Sequence, residues 1–189
     1  ATLLVAAPAS AKSDNSVDKV LAVGDSYVGK VSTLTIQEDK DFVNHFKAGE
    51  TFTLRIPSPV KWDRAITKVN WTPAGGAVTE LIAAGNAIFI NDQTLDITFP
   101  AGENAPVAAG QDVLNIDLGI DVNGATGGIS VTVDPLDSAV TGGTYTFATV
   151  GSGKTTVIAQ SVEKVGKTGV GGVIEIREVN LGAMPVAAN

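Results

Sequence analysis

Three side chains with hard oxygen donors precede a glycine turn: Asp117, Asp121 and Asn123, followed by Gly124. Carboxylate and amide oxygens spaced before such a turn are the ligands that calcium prefers. The full twelve-residue calcium loop with its closing Glu is absent, and strand alternation would place both Asp residues on one solvent-facing side. The three residues therefore predict a structural calcium site, with plain solvent exposure as the alternative explanation.

The segment 148–155 (ATVGSGKT) matches the relaxed pattern of a phosphate-binding loop. A phosphate-binding loop joins a buried parallel strand to a helix whose N-terminus faces the phosphates. Here the flanks 145–150 and 155–159 alternate as strands instead. We therefore predict a hairpin turn at 151–154 and no nucleotide site.

Acid–base catalysis finds little support in the sequence. His45 is the only histidine, and it sits between Phe42 and Phe46 in a segment that we interpret as a loop. Four carboxylates lie close together in sequence: Glu38, Asp39, Asp41 and Glu50. No pattern places two of them across a cleft, as a catalytic pair would require, so we interpret them as a solvated acidic loop. We predict no catalytic residues and no enzyme activity.

Two tryptophans offer a different kind of site. Trp62 and Trp71 would form a stacking platform for carbohydrate if they were exposed. In a chain with only 5% aromatic residues they are better explained as core anchors. Asn70, Trp71 and Thr72 also form an N-glycosylation sequon, which competes with burial of Trp71.

The composition indicates which elements position these residues. The 189 residues are 44% hydrophobic, so Val, Ile, Leu and Ala must fill the core. With 21 Gly and 8 Pro marking turns, the chain is typical of a strand-rich fold. We predict an all-β fold, an Ig-like or jelly-roll-like antiparallel β-sandwich. The predicted strands span residues 28–38, 51–56, 65–71, 87–90, 94–99, 113–122, 128–133, 144–150, 155–160 and 173–179.

Charge and cysteine content exclude several classes of protein. The net charge of -7 leaves no basic stripe to replace phosphate counterions, which argues against nucleic acid. The chain has no cysteine, so it carries neither disulfides nor thiolate metal sites. We expect no membrane span in the mature chain.

The first eleven residues (ATLLVAAPASA) form an uncharged apolar arm. Ala9, Ser10 and Ala11 have the small-x-small pattern of a signal-peptidase site, so the arm is either the remnant of an export signal or part of the mature protein. Residues 2–7 suit an extended strand, and Pro8 excludes a long regular helix through the arm. We predict that this arm lies in an apolar groove, either of a neighbouring copy or of its own domain. Its anchors would be Leu3, Leu4 and Val5.

Two boundaries follow from this arm. We interpret residues 12–19 as a polar hinge, so that arm and hinge together span residues 1–19 and the sandwich domain spans residues 20–189. The domain contains one internal similarity near its two ends. Residues 34–38 (LTIQE) and 174–178 (IEIRE) share the pattern apolar-polar-Ile-polar-Glu. We predict that Ile174 and Ile176 belong to a second self-assembly strand.

Several short phrases carry a family resemblance: LTIQE at 34–38, FKAGETFTLRIP at 46–57, VKW at 60–62, GGISVTV at 127–133 and TYTFA at 144–148. Together they resemble β-sandwich modules of bacterial surface and secreted proteins, of the kind found beside copper-amine-oxidase-N-terminal-like domains. That resemblance implies a sandwich fold without copper and transfers no catalytic residue. The apolar arm is similar in character to the donor strands of secreted filament subunits.

These observations favour a structural subunit of an extracellular filament, pilus or surface layer. Copies of the chain would polymerise by β-strand complementation and act as each other's partners. The alternative is a secreted cell-wall or carbohydrate-binding module that uses the two Trp regions as its contact surface. No cofactor is expected beyond the calcium at Asp117, Asp121 and Asn123.

Overall fold

The computed structural model describes residues 13–41, 45–100, 110–151, 155–159 and 174–178. This part of the chain forms fourteen strands and no helix. The strands are β1 (Ser13–Val17), β2 (Leu21–Val23), β3 (Val28–Glu38), β4 (Thr51–Arg55), β5 (Lys61–Trp62), β6 (Lys68–Thr72), β7 (Thr79–Glu80), β8 (Ala87–Phe89), β9 (Thr94–Thr98), β10 (Val113–Asp121), β11 (Gly127–Asp134), β12 (Gly143–Val150), β13 (Thr155–Ala159) and β14 (Ile174–Glu178).

Two six-stranded sheets make up the sandwich. The first has the order β1-β3-β10-β6-β7, with β5 also paired to β10, and the second has the order β2-β12-β11-β4-β9-β8. Every pair in them is antiparallel except β2 with β12. The strands β13 and β14 pair with each other in a separate two-stranded sheet. The predicted all-β, antiparallel β-sandwich is confirmed.

Alternation of side chains along the central strands builds the core. In β3 the buried positions include Leu34 and Ile36, and in β10 they include Leu114 and Ile116. A period of two sends these residues to one face of the sheet, where they meet the inward face of the second sheet. Aliphatic side chains therefore fill most of the core, as the composition predicts.

Aromatic side chains concentrate in one region of this core. Trp71 packs against Phe46 and Phe99, with ring centroids 6.0 and 5.2 Å away, and Phe99 stacks on Phe46 at 4.7 Å. Phe52 joins the group through Phe99, at 5.7 Å. These four rings are fully buried, so they supply the largest apolar surfaces available in an aromatic-poor chain.

The predicted polar hinge at residues 12–19 is wrong for most of its length. Ser13–Val17 form strand β1, which pairs with β3 from Ser13 opposite Glu38 to Val17 opposite Leu34. The strand is polar on both faces, because Asp14 and Ser16 are exposed while the more buried Ser13 and Asn15 are hydrogen-bonded to Thr141, and so its composition resembles that of a linker. The apolar arm at 1–11 lies outside the described residues.

The remaining strand predictions hold closely, with two kinds of exception. Each of the ten predicted strands exists, but four strands of five residues or fewer were not predicted: β1, β2, β5 and β7. The predicted hairpin around 151–154 is wrong in its pairing. Its flanks are strands, but β12 pairs with β11 and β2, whereas β13 pairs with β14.

The register defines two ends of the sandwich. At the upper end Ser13 opposes Glu38, and Ser13 is hydrogen-bonded to Thr141 in the loop before β12. At the lower end lie Gly127 and Val150, which oppose each other at the far ends of β11 and β12. Strand β1 thus begins at the upper end, and β12 ends at the lower end.

Candidate functional site

The ladder between β4 and β11 in the second sheet is interrupted. β4 pairs with β11 at only three positions, from Thr132 opposite Arg55 to Asp134 opposite Thr53. Strand β11 begins five residues earlier, at Gly127. Over residues 127–131 no described strand pairs with β11 on this side, and alternate backbone N–H and C=O groups there face a gap.

Prolines explain why the ladder stops. Directly after β4, Pro57 and Pro59 have no N–H to donate to a neighbouring strand. The N–H of Ile56 donates to the carbonyl of Gln93, away from β11, and the N–H of Val60 donates to the carbonyl of Pro57 in a tight turn. The chain therefore turns away from β11 and leaves its edge open.

Two adjoining cavities occupy this gap, with volumes of about 310 and 420 Å³. Pro57 and Gly128 line both of them. Val60, Ala125 and Ile129 are largely buried and give the smaller cavity an apolar floor. The larger cavity runs up the outer face of the sheet toward the pair of Arg55 and Asp134, whose charged groups are 3.6 Å apart. We call this site the β4–β11 gap.

The predicted calcium ligands divide into two places. Asp117 lies within β10, where its Oδ1 accepts from Lys30 Nζ at 2.7 Å and from Thr33 Oγ1 at 3.2 Å. Asp121 ends that strand, and its Oδ1 accepts the N–H of Asn123 at 2.9 Å. The two carboxylates are four positions apart along β10, which corresponds to roughly 13 Å of backbone.

Asn123 has a structural task at the gap. Its backbone adopts a φ of 49°, and its Nδ2 donates to the carbonyl of Pro59 at 2.9 Å. This bond ties the proline turn to the loop before β11. The structure thus brings Asp121 and Asn123 together and holds Asp117 apart, and calcium binding stays a prediction.

The four clustered carboxylates have unequal environments. Asp39, Asp41 and Glu50 accept nearby backbone N–H groups or pair with a neighbouring lysine in loops, as predicted. Glu38 is different, because its side chain is fully buried. The prediction of a solvated acidic loop is therefore wrong for Glu38.

The buried carboxylate of Glu38 fastens backbone segments of the upper end. Its Oε1 accepts the N–H groups of His45 and Phe46 at 2.6 and 3.0 Å, and its Oε2 accepts the N–H of Asp112 at 3.2 Å. Asp112 in turn accepts the N–H of Ala74 through Oδ1 at 2.7 Å. His45 is partly buried in this loop, and Phe42 lies outside the described residues.

Both tryptophans belong to the core, so the carbohydrate platform is excluded. Trp71 is 0% exposed and Trp62 is 4% exposed. Among the described residues, the buried Nε1 atoms of both have no hydrogen-bond partner. Asn70, the acceptor of the sequon, lies in β6 between β10 and β7 and is only partly exposed.

The predicted self-assembly residues are only partly within the described chain. Leu3, Leu4 and Val5 lie outside it. Ile174 and Ile176 lie in β14, where they oppose Ala159 and Val157 of β13 in the backbone register. The segment 155–159 is a strand, whereas a phosphate-binding loop would require a helix there.

Two further searches of the described ranges gave negative results. These ranges hold no group of three or more His, Asp or Glu side chains that could hold a metal ion. They also contain no helix that is long and apolar enough to cross a membrane.

The prolines after β4 and the glycines at the start of β11 are the sequence features that correspond to the gap. Taken separately, they do not predict it. Pro57 and Pro59 predict only the end of a strand, and Gly127 with Gly128 predict only the start of another. Prolines, which have no N–H to donate, would indicate an open edge on the glycine-rich strand β11 only if β4 and β11 were known to be neighbours.

Comparisons with known proteins gave likenesses of structure alone. The sequence matches no family model and no curated protein. The collagen-binding domain of a Staphylococcus aureus adhesin is similar at 9% identity and a TM-score of 0.44, over 71% of this chain and 97% of that one. The pilus backbone RrgB of Streptococcus pneumoniae is similar at 16% identity and a TM-score of 0.40, over 65% of this chain and half of that one.

A third similar structure is ACE19, the collagen-binding subdomain of the Enterococcus faecalis surface protein ACE. It has 8% identity and a TM-score of 0.37, over 74% of this chain and 95% of that one. With identities and scores this low, the three likenesses carry no argument about what this chain binds.

Proposed function

We propose that the chain is a structural subunit of an extracellular filament or surface layer, and that its copies join by β-strand complementation. In this proposal the donor is the apolar arm at residues 1–11, and the partner is another copy of the chain. The proposal assigns no catalytic role and no copper.

The observation that carries the proposal is the firm attachment of the arm's root. Ser13 and Thr141 exchange three hydrogen bonds: Ser13 N–H to Thr141 Oγ1 at 3.1 Å, Thr141 N–H to Ser13 Oγ at 2.8 Å, and Thr141 Oγ1 to the Ser13 carbonyl at 2.7 Å. Asn15 Nδ2 adds a bond of 2.7 Å to the Thr141 carbonyl. β1 is thereby tied to both sheets, and an arm attached to it would pass tension directly into the sandwich.

The composition of the arm supports a donor role. It carries no charge, and Leu3, Leu4 and Val5 would gain roughly 1.5–3 kcal/mol each on full burial. An added strand also satisfies backbone groups along an open sheet edge, which would otherwise invite uncontrolled association. Both gains require an acceptor surface that is extended and partly apolar.

The alternative, a cell-wall or carbohydrate-binding module, has lost its proposed contact surface. Its stacking platform required exposed indole rings, and Trp62 and Trp71 are buried. No other described aromatic side chain is more than partly exposed. The filament proposal therefore stands ahead of it.

Negative-stain microscopy of the full-length chain tests the proposal. We expect regular filaments or sheets from the unaltered chain, and their loss in Leu4→Asp, because a buried unpaired carboxylate is costly. Ser10→Asp is the matched control, since it adds the same charge to the arm beyond Pro8, and it should still assemble. A monodisperse monomer from the unaltered chain would refute the proposal.

A calcium chelator added to the same preparations tests the predicted metal site separately. Loss of assembly would give the calcium predicted at Asp117, Asp121 and Asn123 a structural role. Assembly that persists would remove calcium from the assembly mechanism.

A further inference from the structure

We infer that the β4–β11 gap is the acceptor for the arm of a second copy, so that copies join head to tail, upper end to lower end. This inference rests on the proposed function and specifies its binding site. It is carried by the fit of length, chemistry and position between the arm and the gap.

The lengths agree. Among the described strands none pairs with the outer edge of β11 over residues 127–131, which is roughly 16 Å of strand. The arm offers residues 2–7 as an extended segment before Pro8. Because Pro8 has no N–H to donate, it would end an added ladder after about the same number of residues.

The chemistry agrees as well. The floor of the gap is formed by Val60, Ala125 and Ile129, and none of the residues that line the smaller cavity is charged. Gly128 has no side chain to obstruct a strand laid beside it, and a Cβ placed there would meet only Thr146 Cγ2, at 3.9 Å. An uncharged arm of Ala, Leu and Val suits such a surface, whereas a charged segment would lose its hydration.

The positions of root and gap favour a second copy. The arm is attached at Ser13 on the upper end, whereas the gap lies at the lower end beside Gly127 and the Pro57 turn. Two different surfaces therefore meet in each contact. A heterologous contact of this kind repeats into an open chain unless a rotation closes it.

Two other occupants are conceivable. One is the chain's own arm folded back along β11, and the other is the chain's own segment 152–189, which follows Gly151 at the lower end. Either would fill the gap without joining copies, so the experiment must separate contacts between chains from contacts within one chain.

Disulfide trapping between two full-length variants makes this separation, because the natural chain has no cysteine. One preparation carries Leu3→Cys, Leu4→Cys or Val5→Cys, and the other carries Gly128→Cys. For the arm positions whose side chains face residue 128, the mixed and oxidised preparations should give roughly tenfold more linked dimer than the same arm variants mixed with Thr79→Cys, since docking raises the effective concentration of the thiols. Thr79 is also strand-borne and exposed, but it lies in β7 of the other sheet.

The yield should also alternate along the arm. In an added strand, successive side chains point to opposite faces, so Leu3→Cys and Val5→Cys should behave alike and differ from Leu4→Cys. Equal yields at all three positions would indicate random collision and overturn the inference. A doubly substituted chain that forms only an internal disulfide at the concentration at which the unaltered chain assembles would show that the arm folds back, and would overturn it too.

Filling the gap gives a second test on the full-length chain. Gly128→Leu should abolish assembly in the microscope while the melting temperature stays near that of the unaltered chain, and Gly128→Ala should still assemble. If the unaltered chain assembles and neither trapping nor Gly128→Leu has any effect, the gap is not the acceptor although the proposed function stands. If the unaltered chain never assembles, the proposed function itself fails.

Discussion

The two ends of the sandwich differ in how their backbone polar groups are hydrogen-bonded. At the upper end the buried carboxylate of Glu38 accepts three backbone N–H groups, and Asp112 accepts another. At the lower end Pro57 and Pro59 leave the edge of β11 open over residues 127–131. Because buried polar groups without partners are costly, the closed end contributes to stability, whereas we propose that the open end binds the arm of a second copy. The predictions below test this division.

The largest effect is expected at the closed end. Glu38→Ala should lower the free energy of unfolding by about 3 kcal/mol, because the N–H groups of Phe46, Asp112 and His45 lose their acceptor and two of these residues are buried. Urea denaturation of the purified variant measures the loss.

Glu38→Gln is the matched control for this substitution. Its amide oxygen can still accept either the N–H groups of His45 and Phe46 or that of Asp112, while its NH₂ group then faces the remaining N–H. We therefore expect a smaller loss of unfolding free energy than in Glu38→Ala. If Glu38→Ala unfolds at the same urea concentration as the unaltered chain, the upper end is not fastened by this carboxylate and the contrast between the ends fails.

Two glycines in the lower half provide an intermediate effect. A Cβ on Gly119 would lie 2.8 Å from the backbone nitrogen of Thr67 and 2.9 Å from Ile66 Cβ, so Gly119→Ala should cost about 1–3 kcal/mol. Gly128→Ala, beside the gap, should leave stability unchanged within about 0.5 kcal/mol. Thermal unfolding of the two variants side by side measures the difference, and equal losses would contradict the open space at Gly128.

The smallest effect concerns Asp18, in the turn between β1 and β2. Hydrogen bonds from the Ser32 hydroxyl and the Thr33 N–H lower the pKa of this carboxyl below its ordinary value of 3.8. The stabilisation is therefore complete above pH 3.8 and is lost as the pH falls through the lowered pKa. For so exposed a group we expect less than about 1 kcal/mol.

Asp18→Asn tests this pH dependence. The stability of the variant and of the unaltered chain should differ most near neutral pH and converge in strong acid, as followed by urea denaturation across the acid range. A difference that stays constant with pH would mean that the charge of Asp18 is irrelevant to folding.

Alternation along the longer strands was sufficient to predict where most strands lie. The predicted bounds of β3 match the structure, and those of β10 differ by one residue, because Leu34, Ile36, Leu114 and Ile116 recur at every second position. The two-residue strands β5 and β7 carry no such period, since their pairing is decided by the strands beside them. β1 was missed because four of its five residues are polar, so that its inward face carries Ser13 and Asn15 and shows no apolar alternation.

Glu38 shows how far the same rule extends. It follows Leu34 and Ile36 at the same spacing, so alternation alone would have placed it inward. Its charge argued for a solvated loop, and only the structure reveals the N–H groups that compensate for its burial. The β4–β11 gap was harder to predict than the burial of Glu38. It depends on β4 and β11 being neighbours, which no local sequence pattern indicates.

The placement of Ser13 and Gly151 has a mechanical consequence. β1 begins at the upper end and β12 finishes at the lower end, so a force that separates these two residues acts along both strands. All five register pairs between β1 and β3 would then resist sliding together, whereas a pull from one end would peel them apart one by one. A molecule pulled through these two residues would therefore break in shear, the direction in which a β-sheet has its greatest tensile strength.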